Sequence, residues 1–450
     1  MIVDHNYSRY KCLMFDFINR ARELKELQAQ RARGGLLVVY GRRRVGKTRL
    51  LTHWLRGHRG AYSQAIEGLP AMQLEQVYRD LKADGLILRG EFAPKSWVEL
   101  FELLSLETGK TSVCLDEFPY LVAADPALPS VVQRFVDHKM PKGMTLVLAG
   151  SSLRMMHDMF LHRAAPLYGR ASKLLPISPM NYLAFAEACG LRATQRDTFA
   201  KFSIVGGIPK YWEFVEPKRT AVDLAETLFF GFAPYFNEEP ARLLRDEGIA
   251  GINPLAVLEA IGRGARKPSE VASRMGTAQA NLTRIFEALV DAAILSRTMP
   301  FGESARSSKR VLYEIADPAL RFHFHVYSPH QSRWANYEHS KKNDLIAGHV
   351  GPMFEHWWRA GHAGCAPYWE AGVEFDAVRL ETSQGKTRAI VTELKWGELS
   401  AAEVMRLEAR LKIQWEHSTL MKKYGACVIE VVDSKILKDA TTVRRVSAVA

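Results

Sequence analysis

The strongest constraint on the fold of this 450-residue chain is the string Gly-Arg-Arg-Arg-Val-Gly-Lys-Thr at residues 41–48. It follows an unbroken apolar run at residues 35–40, which is typical of a strand buried on both faces of a parallel sheet. A helical pattern begins directly after it, at Arg49. The spacing GxxxxGK[ST] between a buried strand and a helix predicts a phosphate-binding loop.

This loop predicts a site for ATP and Mg²⁺. Gly41 and Gly46 let the backbone curl so that its amides face the phosphates, Lys47 reaches the β and γ phosphates, and Thr48 is a Mg²⁺ ligand. The other residues expected to line the same site are Arg42, Arg43, Arg44, Val45 and Arg49.

A second buried strand, at residues 112–116, ends in an acidic pair. Open α/β sheets place their ligands at the carboxyl ends of the strands, where Asp116 and Glu117 lie. We therefore predict that Asp116 holds Mg²⁺ and that Glu117 orients or deprotonates the attacking water.

Later in the chain, a serine and an arginine are candidates for contact with the γ phosphate. Ser152 follows the next buried strand, at residues 145–149, and offers a hydroxyl near the expected phosphate position. Arg170 offers a cation for the phosphate charge, although an arginine on a loop is more often only solvated.

The sequence divides into four parts. Residues 1–175 alternate buried strands with helical patterns, which predicts an α/β P-loop ATPase core with a parallel sheet. Residues 176–250 are helical and aromatic, and Gly206–Pro209 must end one helix and start another, so we interpret this part as a helical lid. Residues 251–330 and 331–450 form the third and fourth parts.

Residues 251–330 have the pattern of a winged helix. A helix begins at Pro268, a second covers residues 278–290, and a hairpin lies around residues 299–315. The side chains expected to face bases or phosphates are Gln279, Asn281, Arg284, Arg306, Lys309 and Arg310. The module either reads DNA or acts as an intramolecular clamp.

Residues 331–450 carry a separate acidic constellation. Asp376 ends an alternating strand pattern, and 16 residues separate it from Glu393, which shares a strand face with Lys395. Two carboxylates can hold Mg²⁺, the metal lowers the pKa of a bound water, and the lysine positions that water. The segment resembles the PD-(D/E)xK nuclease-like fold, in which Glu355 matches an acid on the preceding helix; a solvated strand surface is the alternative.

Nearly the whole chain resembles prokaryotic P-loop ATPases of the AAA+/STAND type, often called the archaeal ATPase family, which commonly carry a nuclease-like C-terminal domain. The resemblance is carried by these strings: FINR at 17–20, GRRRVGKT, LDEFPYL at 115–121, AGSS at 149–152, PLYGR at 166–170, GGIPKYW at 206–212 and YEIADPALRF at 313–322. It implies that Asn19 and Arg20 lie beside the adenine and that Pro209 belongs to an element that closes the lid over nucleotide.

The resulting expectation is an α/β protein with an AAA+/STAND-like core, a helical lid, a winged helix and a restriction-endonuclease-like C-terminal domain. The formal charge of +12 favours an acidic partner such as nucleic acid. No run approaches the ~18–20 apolar residues of a membrane span and the first residues lack an apolar signal core, so we expect no membrane partner and a cytoplasmic location.

Three functions remain open at this point. The first is an ATPase that controls a nuclease acting on nucleic acid. The second is a STAND-type signalling switch whose C-terminal domain only docks a protein, and the third is a DNA-binding regulator. Self-association into a homo-oligomer also stays open.

Overall fold

The computed structural model describes residues 17–86, 93–231, 234–251, 253–304, 310–383, 386–439 and 444–447. They divide into two compact units. The first contains the described residues of Met1–Asn181 together with Gly207–Glu213 and Leu243–Ile249. The second contains Tyr182–Gly206, Phe214–Arg242 and the described residues of Ala250–Ala450.

The first unit is built on a five-stranded parallel sheet in the order β2-β3-β4-β1-β5. Its strands are β1 (Gly35–Tyr40), β2 (Gly60–Gln64), β3 (Ser112–Asp116), β4 (Thr145–Gly150) and β5 (Ala171–Pro176). The three apolar runs predicted as buried strands form the centre of the sheet, and their side chains are almost fully buried, as helices on both faces of a parallel sheet require. The predicted α/β core with a parallel sheet is therefore confirmed.

Helices connect and cover these strands. They are α1 (Ala21–Arg33), α2 (Lys47–Leu55), α3 (Pro70–Ala83), α4 (Trp97–Ser105), α5 (Phe118–Ala124), α6 (Leu128–His138) and α7 (Leu153–Phe160). In the core, Leu115 of β3 and Leu148 of β4 pack with Phe101 and Phe135 from the helices. Each fully buried side chain of this size contributes roughly 1.5–3 kcal/mol relative to exposure.

Helices also make up most of residues 182–246, the stretch that follows β5 in the sequence. They are α8 (Tyr182–Ala188), α9 (Arg196–Val205), α10 (Pro209–Trp212), α11 (Ala221–Ala225) and α12 (Glu239–Asp246). As predicted, the Gly-Gly-Ile-Pro string ends one helix and starts the next. A π-helical turn over Glu226–Phe230 follows α11.

The described part of the segment predicted as a winged helix begins with three helices and a two-stranded antiparallel sheet. Its elements are α13 (Asn253–Gly262), α14 (Pro268–Met275), α15 (Thr283–Asp291), β6 (Leu295–Thr298) and β7 (Leu312–Ile315). The helix expected over 278–290 begins instead as a 3₁₀ turn at Gln279–Leu282 and becomes α-helical at Thr283. The winged-helix interpretation itself stays a prediction.

The chain then runs through short helices into one long helix. These elements are α16 (Pro318–Phe322), a π-helical turn at His323–Tyr327, α17 (Ser328–His330), a 3₁₀ turn at Trp334–Asn336 and α18 (His339–Ala360). His349 of α18 is fully buried and faces the carbonyl oxygen of Ser203 at 2.8 Å. This contact ties α18 to α9 within the second unit.

A mixed five-stranded sheet with the order β12-β11-β10-β9-β8 follows α18. Its strands are β8 (Ala366–Glu370), β9 (Val373–Ser383), β10 (Lys386–Lys395), β11 (Cys427–Asp433) and β12 (Arg444–Ser447), with α19 (Ala401–His417) and α20 (Thr419–Tyr424) between β10 and β11. Strands β9 and β10 are antiparallel neighbours, and β10 and β11 are parallel. In the described part of the chain, none of the helices combines the length and apolar character that a membrane crossing requires.

Candidate functional site

The loop between β1 and α2 adopts a curled backbone that needs its glycines. An ideal Cβ on Gly41 would lie 2.4 Å from the carbonyl oxygen of Ile177, so only glycine permits this close approach. Gly46 has a φ of 98°, which L side chains rarely adopt. Arg44 has a φ of 66°, an uncommon value for a residue with a side chain.

The helix that follows the loop starts without a side-chain cap. Helix α2 begins at Lys47, and no side chain caps it. The first turn of a helix leaves backbone N–H groups without an intrahelical partner, and such groups together with the helix dipole bind anions. The curled loop and the uncapped helix therefore fit a phosphate group.

Lys47 is buried inside the loop. Its Nζ donates to the carbonyl oxygens of Gly41 at 2.9 Å and Arg42 at 3.3 Å. Burial lowers the pKa of Lys47, and the nearby carboxylates, first Glu117 and then Asp116, oppose that shift. The ammonium group is thus available for the negative charge of a phosphate.

Thr48 and Asp116 meet at the carboxyl ends of the strands. Thr48 Oγ1 donates to Asp116 Oδ2 at 2.6 Å, and Asp116 is fully buried. A hydroxyl and a carboxylate are the oxygen ligands that Mg²⁺ prefers, and in phosphate sites the protein usually contributes only one or two of them. These two side chains therefore fit the predicted metal position.

Tyr62 joins Thr48 and Asp116 at the predicted metal position. Its role there was not predicted from the sequence. Its hydroxyl donates to Asp116 Oδ2 at 2.7 Å from the adjacent strand β2. Burial, and then the charge of Asp116, raise the pKa of Tyr62, so the phenol stays a hydrogen-bond donor. A tyrosine in a short strand carries no motif that distinguishes it from a core residue.

Glu117 is held by the strand beside it. It has a φ of 54°, which turns the chain sharply after β3. Its Oε2 accepts hydrogen bonds from the backbone N–H of Ser151 at 3.1 Å and from Ser151 Oγ at 2.6 Å. Because β4 lies between β1 and β3, Ser151 at the end of β4 reaches Glu117 directly.

Ser152 contacts a glutamate that the sequence analysis also missed. Ser152 Oγ caps α7 by accepting from the Met155 N–H, and it donates to Glu247 Oε2 at 3.1 Å. The amides of Leu153 and Arg154 also point to this carboxylate, each at 3.4 Å. Burial raises the pKa of Glu247, and these hydrogen bonds oppose the shift.

The residue before Glu247 contacts the loop itself. Asp246 forms an ion pair with Arg43. Both acids belong to Leu243–Ile249, the short segment that packs into the first unit. They lie far from the loop in sequence, in a stretch without a recognisable motif.

The residues that the resemblance placed beside the adenine differ in their contacts. Arg20 is buried, and its guanidinium donates to the carbonyl oxygens of Val45 at 2.9 Å and Ser178 at 3.0 Å. Asn19 is exposed with a φ of 53°. Arg20 thus holds the loop against the end of β5.

Pro209 lies at the first position of α10 in the first unit. The backbone before it makes a close approach, because a Cβ on Gly207 would lie 2.1 Å from the carbonyl oxygen of Met180. Of the other residues expected to line the nucleotide site, Arg42 of the loop is buried and Arg49 of α2 is exposed.

The structure does not bring Arg170 to the loop within one chain. Arg170 directly precedes β5, and Ala171 pairs with Leu36 near the start of β1, whereas the loop follows the end of β1. Because the two strands are parallel, Arg170 lies at the opposite edge of the sheet, roughly 20 Å away for a six-residue strand. Its guanidinium pairs instead with Asp137 at 3.0 Å.

The three residues singled out in the C-terminal part come together. The β9–β10 ladder ends at the pair Ala377 and Thr392, so Asp376 and Glu393 lie just beyond it. Lys395 Nζ lies 2.6 Å from Glu393 Oε1 and 3.6 Å from Asp376 Oδ2. Asp376 Oδ2 also accepts from the Leu394 N–H at 2.8 Å, which fixes its orientation.

Glu355 lies near this group on α18. Burial, and then the charge of Asp376, raise the pKa of Glu355 to about 7. Burial and the charge of Glu393 likewise raise the pKa of Asp376. Arg359 donates to Glu355 Oε2 at 3.4 Å and to the Asp376 carbonyl oxygen at 2.8 Å. Glu355 and Asp376 therefore lie close to other carboxylates and are largely shielded from solvent.

Two basic side chains already contact Glu393. Arg410 Nη2 donates to Glu393 Oε1 at 2.5 Å, on the same oxygen that Lys395 contacts. Among the described residues, no three His, Cys, Asp or Glu side chains converge closely enough to hold a metal ion. Asp376 and Glu393 supply the pair of carboxylates that a Mg²⁺ ion with several water ligands requires, and such an ion would compete with Lys395 for Glu393.

The side chains predicted to contact DNA have two different environments. Gln279, Asn281 and Arg284 are exposed. Arg310 forms an ion pair with Glu303 and donates to the Trp369 carbonyl oxygen at 2.7 Å, so it is engaged within the second unit. Arg306 and Lys309 lie outside the described residues.

Comparisons with known proteins agree with this geometry. Residues 17–215 match a family model described as an ATPase domain predominantly from Archaea. An uncharacterized protein of Methanocaldococcus jannaschii is 26% identical over 451 residues, which cover 93% of this chain and 97% of that protein. A Walker-type ATPase of Pyrococcus abyssi superposes with a TM-score of 0.52 at 18% identity, covering 69% of this chain and 97% of its own, which shows a shared fold.

The family match covers the residues that build the phosphate-binding loop, the Thr48–Asp116 contact and the Glu117–Ser151 contact. The structural similarity shows that this part of the chain shares the fold of that protein. Residues 17–215 of this chain therefore form a P-loop ATPase domain of the archaeal ATPase family.

Proposed function

We propose that this chain hydrolyses ATP and that its nucleotide state controls a nuclease-like C-terminal domain acting on nucleic acid. The observation that carries the second half of the proposal is the position of Lys395, whose ammonium group lies close to Asp376 and Glu393 at the end of two adjacent strands. A lysine beside two carboxylates is the set of groups that metal-dependent phosphodiester hydrolysis uses.

At the ATPase site, each group has a distinct task. The amides at the start of α2 and the Lys47 ammonium bind the phosphates, and Thr48 and Asp116 hold Mg²⁺. The metal neutralises charge on the phosphate oxygens when it is bound. Glu117 orients or deprotonates the attacking water after it leaves Ser151, and Ser152 senses the γ phosphate.

The Glu117 assignment predicts opposite effects of two substitutions. Glu117→Gln should keep ATP binding and lower the turnover number by about 10²- to 10⁴-fold, because the amide cannot act as a base. Ser151→Ala should raise basal turnover, because it removes one hydrogen bond that holds Glu117 away from water. Steady-state ATPase rates, with binding measured separately, check both; turnover in Glu117→Gln equal to the wild-type value would remove Glu117 from this role.

At the C-terminal site, Asp376 and Glu393 would hold Mg²⁺, and Glu355 is a further acid beside them. The metal supplies an activated water when bound. Lys395 then positions that water or stabilises the charge that develops on the phosphate.

The route of control that we propose runs through Leu243–Ile249. Within the first unit, Asp246 pairs with Arg43 of the loop and Glu247 accepts from Ser152. On either side the chain continues into residues of the second unit. A change at the phosphate site that displaces Glu247 would therefore act on the connection to the second unit.

For this function we propose four domains: the ATPase core at 1–175, the lid at 176–250, the winged helix at 251–330 and the nuclease-like domain at 331–450. Pro209, with the rest of the Gly-Ile-Pro element, would close the lid over nucleotide. We expect the protein to act in the cytoplasm, where nucleic acid and ATP are both present.

A second candidate function is DNA binding by the winged-helix segment. The exposure of Gln279, Asn281 and Arg284 on one helical stretch favours it. The bond from Arg310 to the Trp369 carbonyl oxygen favours the other alternative, an intramolecular clamp.

Salt dependence separates these two alternatives. If the segment contacts phosphates, Arg284→Ala should weaken DNA binding and reduce the slope of log affinity against log salt by roughly 1, since one fewer counterion is released. The matched control is Arg263→Ala, which removes an exposed arginine paired with Glu259. An unchanged slope, measured by fluorescence anisotropy between low and moderate salt, supports the clamp.

A further inference from the structure

A cavity of about 470 Å³ lies within the second unit, beside Asp376 and Glu355. Its walls come from the α13–β7 segment, from α16 and α18, and from strands β8 and β9. Its volume falls in the range of small-ligand pockets, roughly 300–1,000 Å³. The cavity therefore has room for one nucleotide and not for a base-paired segment.

Arg321 of α16 lines this cavity. Its Nε is buried and has no hydrogen-bond partner among the residues that the structure describes. Across the described residues, no carboxylate oxygen lies within 4.0 Å of its guanidinium. Burial lowers the pKa of Arg321, and the more distant charge of Glu314 opposes this only in part. The Arg321 side chain as a whole is half-buried. A partly buried cation whose Nε has no hydrogen-bond partner among the described residues favours an anion at this position.

The other two arginines that line the cavity are already paired. Arg266 forms an ion pair with Glu314, and Arg359 contacts Glu355 at 3.4 Å. Of the cavity's three arginines in the described chain, Arg321 is thus the one without a carboxylate partner. It belongs to the string YEIADPALRF, which the nucleotide site does not use.

The cavity also has aromatic walls. Tyr313 and Trp369 line it as half-buried rings together with Arg321, whereas Tyr368 and Phe375, which also line it, are buried in the core. Aromatic side chains provide surfaces on which nucleic-acid bases stack, and an arginine guanidinium forms bidentate bonds to phosphate. A cationic group and aromatic surfaces in a pocket of this size match the two halves of a nucleotide.

We propose that this cavity binds a phosphate monoester of about the size of one nucleotide, with Arg321 as the phosphate contact. The ligand is either a free nucleotide or the phosphorylated end of a nucleic-acid strand, which share this chemistry. Asp376 and Glu355 of the proposed nuclease site also line this cavity, so the inference rests on the proposed function and names the ligand of that site. Binding is measured separately from cleavage, so the two can fail independently.

Calorimetric titration of the full chain tests this proposal. The Lys47→Ala background removes nucleotide binding at residues 41–48. The probes are thymidine monophosphate and tetrathymidylate with either a 5′-phosphate or a 5′-hydroxyl. We expect at least one phosphorylated probe to bind, and Arg321→Gln to weaken it at least about tenfold, as the loss of a charge-assisted contact requires. The matched control Arg263→Gln should stay within about twofold.

The probes also distinguish the source of the phosphate. Binding of the monophosphate alone identifies a free nucleotide, and binding of the 5′-phosphorylated tetramer identifies a strand end. Met353→Trp fills the cavity and leaves Arg321 in place, so it should prevent binding of both phosphorylated probes. This variant replaces Arg321→Gln in the test if Arg321→Gln does not fold. Equal affinities of the Arg321→Gln and parent proteins, equal binding of the 5′-hydroxyl and 5′-phosphate tetramers, or no binding of either phosphorylated probe would overturn the proposal.

Discussion

Lys47→Ala should abolish ATP binding, with a loss of affinity of at least about 100-fold, on the order of 2.7 kcal/mol. Lys47 is the cation held inside the loop, and the carboxylates of Asp116, Glu117 and Glu247 act on it electrostatically. Removing the ammonium group leaves these acids facing the phosphates, so the variant loses an attraction and gains a repulsion. Calorimetric titration with ATP and Mg²⁺ measures the effect.

The control for this substitution is Lys142→Ala, which removes an exposed lysine from the same unit. It should bind ATP with an affinity within about twofold of wild type. Thermal unfolding of both variants shows whether the fold is retained. If folded Lys47→Ala protein bound ATP as tightly as wild type, the loop would not be the phosphate site.

The second large effect is expected at the C-terminal site. Asp376→Ala should lose Mg²⁺ binding and all cleavage of nucleic acid, because it removes one of two metal-binding carboxylates. Lys395→Ala should keep the metal and lose most of the cleavage rate, roughly 10²-fold or more, since the lysine acts on the water or on the developing charge. Cleavage assays combined with calorimetric Mg²⁺ titration separate the two effects.

Both variants should retain the ATPase rate of the wild-type protein, because the two sites use different residues. The matched controls are Glu416→Ala and Lys412→Ala, which change exposed charges on α19. If Asp376→Ala cleaved at the wild-type rate, the constellation would be a structural surface rather than a nuclease site.

The features that could be predicted from the sequence are those fixed by local patterns. An apolar run followed by GxxxxGK[ST] leaves few alternatives, because only a buried strand joined to a helix by a curled loop accommodates both. Asp376 and Lys395 are distant in sequence, but the hairpin of β9 and β10 requires only antiparallel pairing to bring them together. Strand alternation is a short-range rule, and it was sufficient here.

The features that the sequence could not provide depend on long-range packing. Glu247 reaches Ser152 from 95 residues away, and Tyr62 reaches Asp116 across a strand pair whose order in the sheet has no local signal. Arg170 is the opposite case, a contact that was predicted from the sequence and that the structure does not form within one chain. Its proximity to the loop depends on whether β5 runs parallel or antiparallel to β1, and the parallel arrangement places it at the opposite edge.

The most direct test of the account is a cleavage assay under defined nucleotide states. Wild-type protein with Mg²⁺ is incubated with single-stranded, duplex and structured DNA and RNA, in the presence of ATP, ADP, a non-hydrolysable ATP analogue or no nucleotide. We predict cleavage that requires Asp376 and that changes several-fold between nucleotide states. Active ATPase without cleavage of any substrate in any state would contradict the account and leave a signalling switch or a DNA-binding regulator.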